Sequence, residues 1–332
     1  MKILVYGAGN IGSLYAAKLK DAGHDATILA RGTRLHEIRE HGILLQDFHS
    51  GQKSTTWIET VDRLAPEDAY ELVLVILPRI SVSEILPIVA ANRNTPSVMF
   101  FGNNAGGSEE MIEALGRERV LLGFPGAAAV PHDEYIRYII LDQREQATTI
   151  GELDGSDSKR IKSIATALQS AGFPSSICAN MDAWLKTHVA EISPTANALY
   201  MAGSDIDGLK RNRKALVLMI RAIREGHRVL SALGIPITPS SHKIFRWIPE
   251  FLLVAITRRK LDDKAWSIKI GHAVAARDEM RTIADEFREL ARKSGIATTA
   301  IDQLRTYLDA NKPSADNLHR CPTPTARTGV LS

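Results

Sequence analysis

The first half of the chain alternates short apolar runs with stretches of helical spacing. Ile3–Tyr6 reads as a strand. From Gly9 to Ala22 the apolar residues Ile11, Leu14, Tyr15, Ala16 and Leu19 fall at helical intervals, and Gly23 supplies a stop. Ala26–Ala30 is a second strand. Leu72–Leu77 (LVLVIL) is apolar throughout, as expected of a strand buried on both faces of a parallel sheet; Val98–Phe101 and Val120–Phe124 share that texture. Strands alternating with helices predict a doubly wound α/β sheet.

After Gly126 the texture changes. Tyr135–Leu141 and Ala147–Glu152 predict two antiparallel strands closing this region. Ser156–Ala171 predicts a helix with Ile161, Ile164, Ala165 and Leu168 inward and Gly172 as its stop, and Ser175–Cys178 an edge strand. From Met181 onward the spacing is helical: Asp182–Ala202, Ala215–Leu233, Ile244–Ile256, His272–Lys293 and a short Ile301–Leu308. In His272–Lys293, Ala273, Ala276, Met280, Ile283, Phe287 and Leu290 form one stripe, ended by Ser294 and Gly295. The pattern divides the chain into an α/β unit over residues 1–180, an all-helical unit over 181–310 and a loosely held tail rich in Pro, Thr and Ser over 311–332. A cleft between two such units is a natural place for a ligand.

Composition narrows the class. The 332 residues are 45% hydrophobic and 24% charged with a net charge of +3, the mixture of a soluble globular protein and too mild a basic excess to point to nucleic acid. Cys178 and Cys321 form no CxxC pair, which fits a reducing cytoplasm. The N-terminus runs directly into a strand and gives no signal peptide. Ile244–Ile256 is the most apolar stretch, but it contains Arg246 and Glu250 and is shorter than the roughly 20 residues of a membrane span, so it reads as a buried helix. Neither a metal-ligand spacing nor a GxSxG serine is present.

The chemistry starts at Gly7-Ala8-Gly9-Asn10-Ile11-Gly12, a GxGxxG that follows a strand and opens a helix. The first glycine permits the tight turn, the second lets a pyrophosphate approach the backbone, and the third packs helix on strand. In this setting the motif predicts a Rossmann-type dinucleotide site. The second strand ends in Leu29-Ala30-Arg31-Gly32, where an NAD site usually has an acidic residue; Arg31, with Arg34 behind it, suits a 2′-phosphate and favours NADP(H).

Beyond these motifs the chain resembles the ketopantoate reductases (2-dehydropantoate 2-reductases) from Met1 to about Thr299. The glycine loop, the LAR ending of the second strand, Asn103-Asn104-Ala-Gly-Gly, Ala183-Trp184-Leu185-Lys186, Asp278-Glu279-Met280 and Ala291-Arg-Lys-Ser-Gly-Ile occur in the family's order. The resemblance implies a Rossmann-type domain followed by an all-α domain, and NADPH-dependent reduction of a 2-oxo acid to a 2-hydroxy acid. It makes Lys186 the group that assists at the carbonyl oxygen and Glu279 an acidic partner that orders the lysine and meets the substrate hydroxyl. Ser267 would bind the substrate carboxylate, and Asn103 would lie near nicotinamide and substrate.

The resemblance is weaker on the substrate side. Family asparagines four and eight residues after the lysine are Ala190 and Pro194 here; Ser193 or Asn197 would replace one of them if the helix bends at Pro194. The lysine usual after the third strand is absent, and Arg79 stands nearby. Ketopantoate is therefore the first substrate to try. Another carbonyl or imine substrate and a non-catalytic NADP(H) sensor are the competing readings. His188, two residues from Lys186, belongs to another helix face and reads as structural; His272, Glu279 and Glu286 at intervals of seven could instead form a polar face. The apolar helices of the second half fit a homodimer or simple core packing equally well.

Overall fold

A computed structural model describes residues 1–271 and 276–310. Among the described residues twelve strands form two sheets: β1 Lys2–Tyr6, β2 Asp25–Leu29, β3 Ile43–Asp47, β4 Lys53–Thr56, β5 Glu59–Val61, β6 Leu72–Val75, β7 Val98–Phe101, β8 Val120–Phe124, β9 Ala127–His132, β10 Tyr135–Ile140, β11 Thr148–Glu152 and β12 Ser175–Ile177. The main sheet has eight strands in the order β12-β11-β8-β7-β6-β1-β2-β5. Its pairings are parallel except for β8 with β11. The chain fills one side with β2 and β5, then crosses β1 to begin the other with β6. Such a reversal opens a crevice at the carboxyl ends of β1 and β6, where Gly7 and Pro78 follow their strands.

The predicted pairing of Tyr135–Leu141 with Ala147–Glu152 does not occur. β10 pairs with β9 and β3 in a second, four-stranded sheet ordered β4-β3-β10-β9, whereas β11 joins β8 in the main sheet. Partners in β3 and β9 were invisible to a reading that took the two runs as neighbours. This second sheet covers the helix Asn10–Asp21, which is why that helix is buried from Gly12 to Ala17 rather than along one stripe. Inside it the Tyr15 ring stacks on Phe173 at 3.9 Å, and its hydroxyl shares a 2.6 Å hydrogen bond with Thr148 Oγ1.

The helical half is built on Met181–Met201 packed against Arg213–Ala232. They approach closely at Gly226, where a Cβ would lie 3.0 Å from that of Ala190. The helix Thr299–Ala310 packs on both and Arg277–Ser294 lies alongside them. Glu225 is buried and accepts from the backbone N–H groups of Ala300 and Ile301 at 2.9–3.0 Å, fastening the start of Thr299–Ala310. Among the described residues no helix is long and apolar enough to cross a membrane.

Ile244–Ile256 is not one buried helix. A 3-10 segment, Ser240–Arg246, and a helix, Glu250–Lys260, flank Pro249, which breaks the run. Ile244, Trp247, Phe251, Leu252 and Ile256 are exposed, so hydrophobicity alone misjudged their burial. His272, Ala273 and Ala275, the tail from Asn311 and Cys321 lie outside the described residues.

Candidate active site

The glycine turn separates two duties. Gly7 has φ +122°, and a Cβ there would lie 2.3 Å from the Ile76 carbonyl oxygen; one on Gly12 would lie 1.9 Å from the Gly7 carbonyl oxygen. Both therefore keep strand, turn and helix in contact. A Cβ on Gly9 would meet nothing within 4 Å, and Gly9 caps the helix Asn10–Asp21 without a side-chain hydrogen bond. Free N–H groups facing open space are what a pyrophosphate requires. Ala8, Asn10 and Ile11 complete the turn and the first helical residues.

Arg31 and Arg34 do different things. Arg34 donates through Nε to the Ala8 carbonyl at 3.3 Å and through Nη2 to Ser13 Oγ at 3.2 Å, and pairs with Glu37. It braces the turn. Arg31 is exposed at the N-cap of Gly32–His41, with an open start to that helix beside it. Its charge also acts on Tyr6, whose phenol burial otherwise raises.

The loop after β7 carries Asn103 and Asn104. Asn104 closes the turn on itself: its Nδ2 donates to the Gly107 carbonyl at 2.8 Å and its Oδ1 accepts from Gly107 N–H at 2.9 Å. Asn103 instead reaches the helical half, donating from Nδ2 to Glu279 Oε1 at 3.0 Å. Both side chains are buried, and Asn103 Oδ1 has no hydrogen-bond partner among the described residues. Asn103, Arg79 and Leu185 line one cleft, so the loop adjoins the beginning of the helix that carries Lys186.

Lys186 has 13% of its side chain exposed, and its Nζ lies 2.6 Å from Asp182 Oδ2. The i,i+4 spacing on one helix brings the pair together. Glu279 begins the helix Arg277–Ser294 and is 5% exposed. Glu286, two turns on, is no part of a solvated face: its Oε2 accepts from the N–H groups of Ala105 and Gly106 at 2.9 and 3.0 Å, and its Oε1 lies 2.7 Å from Arg79 Nε. Arg79 also pairs with Glu110 at 2.6 Å, so its guanidinium is committed to fastening the Asn103 loop to the helical half. The sequence reading missed these roles for Asp182, Glu286 and Arg79. Asp182 was visible as an acidic residue four before the lysine; Glu286 and Arg79 are far apart in sequence and left no signal.

Asn197 is 3% exposed, and its Oδ1 lies buried without a hydrogen-bond partner among the described residues. Ser267 is exposed and donates to the Lys264 carbonyl at 2.7 Å. Its segment rests on the second sheet through Ala265 and Ile268, which pack against Ile139 and Leu141. His188 stacks on Trp184 and against Phe124, and burial pulls its pKa down to about 4, leaving the ring neutral. On the same helix, Glu191 accepts from His227 at 3.0 Å and His242 at 2.8 Å; these bonds hold its pKa at about 2 despite burial.

Comparison with known proteins agrees with this architecture. Residues 3–155 match the family described as ketopantoate reductase PanE/ApbA. A 2-dehydropantoate 2-reductase of Aquifex aeolicus (strain VF5) is 24% identical over 304 residues, covering 90% of this chain and 93% of its own. The solved structure of 2-dehydropantoate 2-reductase from Geobacter metallireducens GS-15 superposes with a TM-score of 0.72 at 17% identity, covering 93% of this chain and 99% of that one. A D-mandelate dehydrogenase solved with NADH and anilino(oxo)acetate shares the fold at a TM-score of 0.70 and 16% identity, covering 93% of this chain and 97% of that one. Residues 3–155 are thus similar to the ketopantoate reductase family, and nearly the whole chain is similar to a curated oxidoreductase of that kind.

Proposed function

We propose that the protein reduces a 2-oxo acid to the 2-hydroxy acid with NADPH, ketopantoate being the first substrate to test. The observation that carries this reading is the buried hydrogen bond from Asn103 to Glu279. It joins the loop after β7 to the helical half at 3.0 Å and leaves Asn103 Oδ1 unpaired beside the start of the Lys186 helix.

When bound, the nicotinamide supplies a hydride to the C2 carbonyl carbon. The open face at Gly9 and the N-terminus of Asn10–Asp21 would hold the pyrophosphate. Arg31, free of the bracing duty that occupies Arg34, would receive the 2′-phosphate. Lys186 moves its proton to the carbonyl oxygen as negative charge develops there, while Asp182 parks the ammonium beforehand. Glu279 accepts from a substrate hydroxyl, and Asn103 orients the reacting group. Ser267 and Asn197 are the remaining substrate contacts of this reading.

A kinetic panel following NADPH absorbance tests it. Ketopantoate or another 2-oxo acid should consume NADPH, with NADPH preferred to NADH by at least tenfold. Tight NADPH binding without turnover on any oxo acid would sink the reading and leave a sensor in its place. A second reading changes the substrate to a different carbonyl or an imine. It is favoured by Ala190 and Pro194, which put carbon where the resemblance expects amides.

A further inference from the structure

Five of the nine large hydrophobic side chains that are exposed among the described residues fall within thirteen consecutive positions: Ile244, Trp247, Phe251, Leu252 and Ile256. Trp247 is 74% exposed and Phe251 65%. None of the five lines the Asn103 cleft. Ile244 and Trp247 stand three apart, within and just after the 3-10 segment Ser240–Arg246, so they share a side. In the helix Glu250–Lys260 the exposed face is Phe251, Leu252, Ala255, Ile256 and Arg259, while Leu253 and Val254 enter the core. A helix apolar on both faces is ordinarily covered on both. The exposure is also held in place rather than frayed. Arg224 donates to the carbonyls of Phe245 and Ile248, Arg258 donates to that of Lys210, and Glu191 accepts from His242.

The rim of this face is cationic. Lys243, Arg246, Arg259 and Lys260 are exposed and form no ion pair among the described residues. Arg246 lies over the Trp247 ring, 4.5 Å from its centroid. Glu250, the carboxylate of the run, is already neutralised by Arg221, whose Nε and Nη2 donate to it at 2.7 and 3.1 Å. Residues 240–260 carry five Lys and Arg against one Glu, more net positive charge than the +3 of the whole chain. A two-fold contact with a second copy would set these cations against one another around the apolar centre. The chain beyond Ala310 is basic as well, with Lys312, Arg320 and Arg327 against Asp316. The cover that fits is both anionic and apolar. We propose that this face docks on the surface of an anionic lipid bilayer. Ile244, Trp247, Phe251, Leu252 and Ile256 enter the boundary between headgroups and acyl chains, and the four cations meet lipid phosphates. Side chains that stand this far out enter a fluid boundary without needing a shaped pocket. The attachment is peripheral and does not depend on the reductase reading.

The test sediments the full chain with vesicles of phosphatidylcholine alone or mixed equally with phosphatidylglycerol. Binding should be about tenfold tighter or more on the mixed vesicles and should weaken as salt rises. The double variant Trp247→Ser, Phe251→Ser should lose about tenfold or more of that affinity. Arg246→Glu with Arg259→Glu should remove the preference for the anionic vesicles. Both variants should keep the circular dichroism spectrum of the parent. Should either fold poorly, brominated phosphatidylcholine in the mixed vesicles should quench the tryptophan fluorescence of the unaltered protein, and Trp247→Phe should remove most of that quenching. No binding to either vesicle would overturn the proposal and leave an acidic protein surface as the cover. Equal binding to both vesicles would also overturn it, as would a dimer in light scattering that Trp247→Ser, Phe251→Ser converts to monomer.

Discussion

In the proposed function, the glycine turn after β1 and the Lys186 helix face solve different recognition problems. At the turn the recognising groups are backbone N–H groups, and the residues matter for what they lack: a Cβ at Gly9 and side-chain bulk at Gly7 and Gly12. On the helix face the proposed recognising groups are side chains, and their surroundings come from segments far apart in sequence. Asn103 is held by Glu279 and the loop after it by Glu286; Asn197 lies beneath residues of two other helices. A backbone site is fixed by local geometry, whereas a side-chain site is open to replacement of a few residues; Ala190 and Pro194 stand where the resemblance expects asparagines.

The largest effect should separate the glycines. Gly12→Ala forces a methyl against the Gly7 carbonyl and should cost about 3 kcal/mol, seen as a lower Tm. Gly9→Ala should keep Tm and lose NADPH affinity; equal Tm losses in the two would erase the distinction drawn between packing and binding. Next is the fastening of the Asn103 loop. Glu286→Ala removes the acceptor of two backbone N–H groups and the Arg79 partner, and should cost about 1.5–3 kcal/mol. It should lower kcat with NADPH Kd unchanged, which differential scanning calorimetry and cofactor titration would check. Arg31→Ala should narrow the NADPH-over-NADH preference about tenfold, the loss of roughly one charge-assisted contact; an unchanged ratio would remove Arg31 from the cofactor account.

A further effect concerns pH. His188 titrates at about 4 when folded and near 6.5 when unfolded, so the unfolded chain takes up the proton first and stability falls from pH 6.5 toward 4. Glu191, held at about 2 against an ordinary 4.5, contributes stability above pH 4.5 that is lost as pH falls toward 2. His188→Phe should flatten the upper window of a Tm–pH curve and keep the lower one.

These contrasts also explain what could be read from sequence. β1, the glycine turn and the following helix were legible because their determinants are consecutive. The helices carrying Lys186 and Glu279 announced themselves by spacing. The second sheet was not legible: β4 is the polar run KSTT, and β3 finds its parallel partner β10 some ninety residues later. Ile244–Ile256 misled because apolar composition does not encode burial, and Pro249 was given too little weight as a breaker. In the candidate site, Lys186, Glu279 and Asn103 are expectations that rest on a family resemblance; the Asn103–Glu279 bond, the Arg79–Glu286 fastening and the Asn197 oxygen unpaired among the described residues depend on folded distances.

The central claim is that Lys186 handles the proton and the glycine turn handles the cofactor, so the two should come apart in one variant. Lys186→Ala, titrated with NADPH by fluorescence and assayed on the best oxo acid, should keep Kd within about twofold and lose about 10²–10⁴ in kcat. Parallel loss of NADPH affinity and turnover, or turnover that survives the substitution, would contradict it.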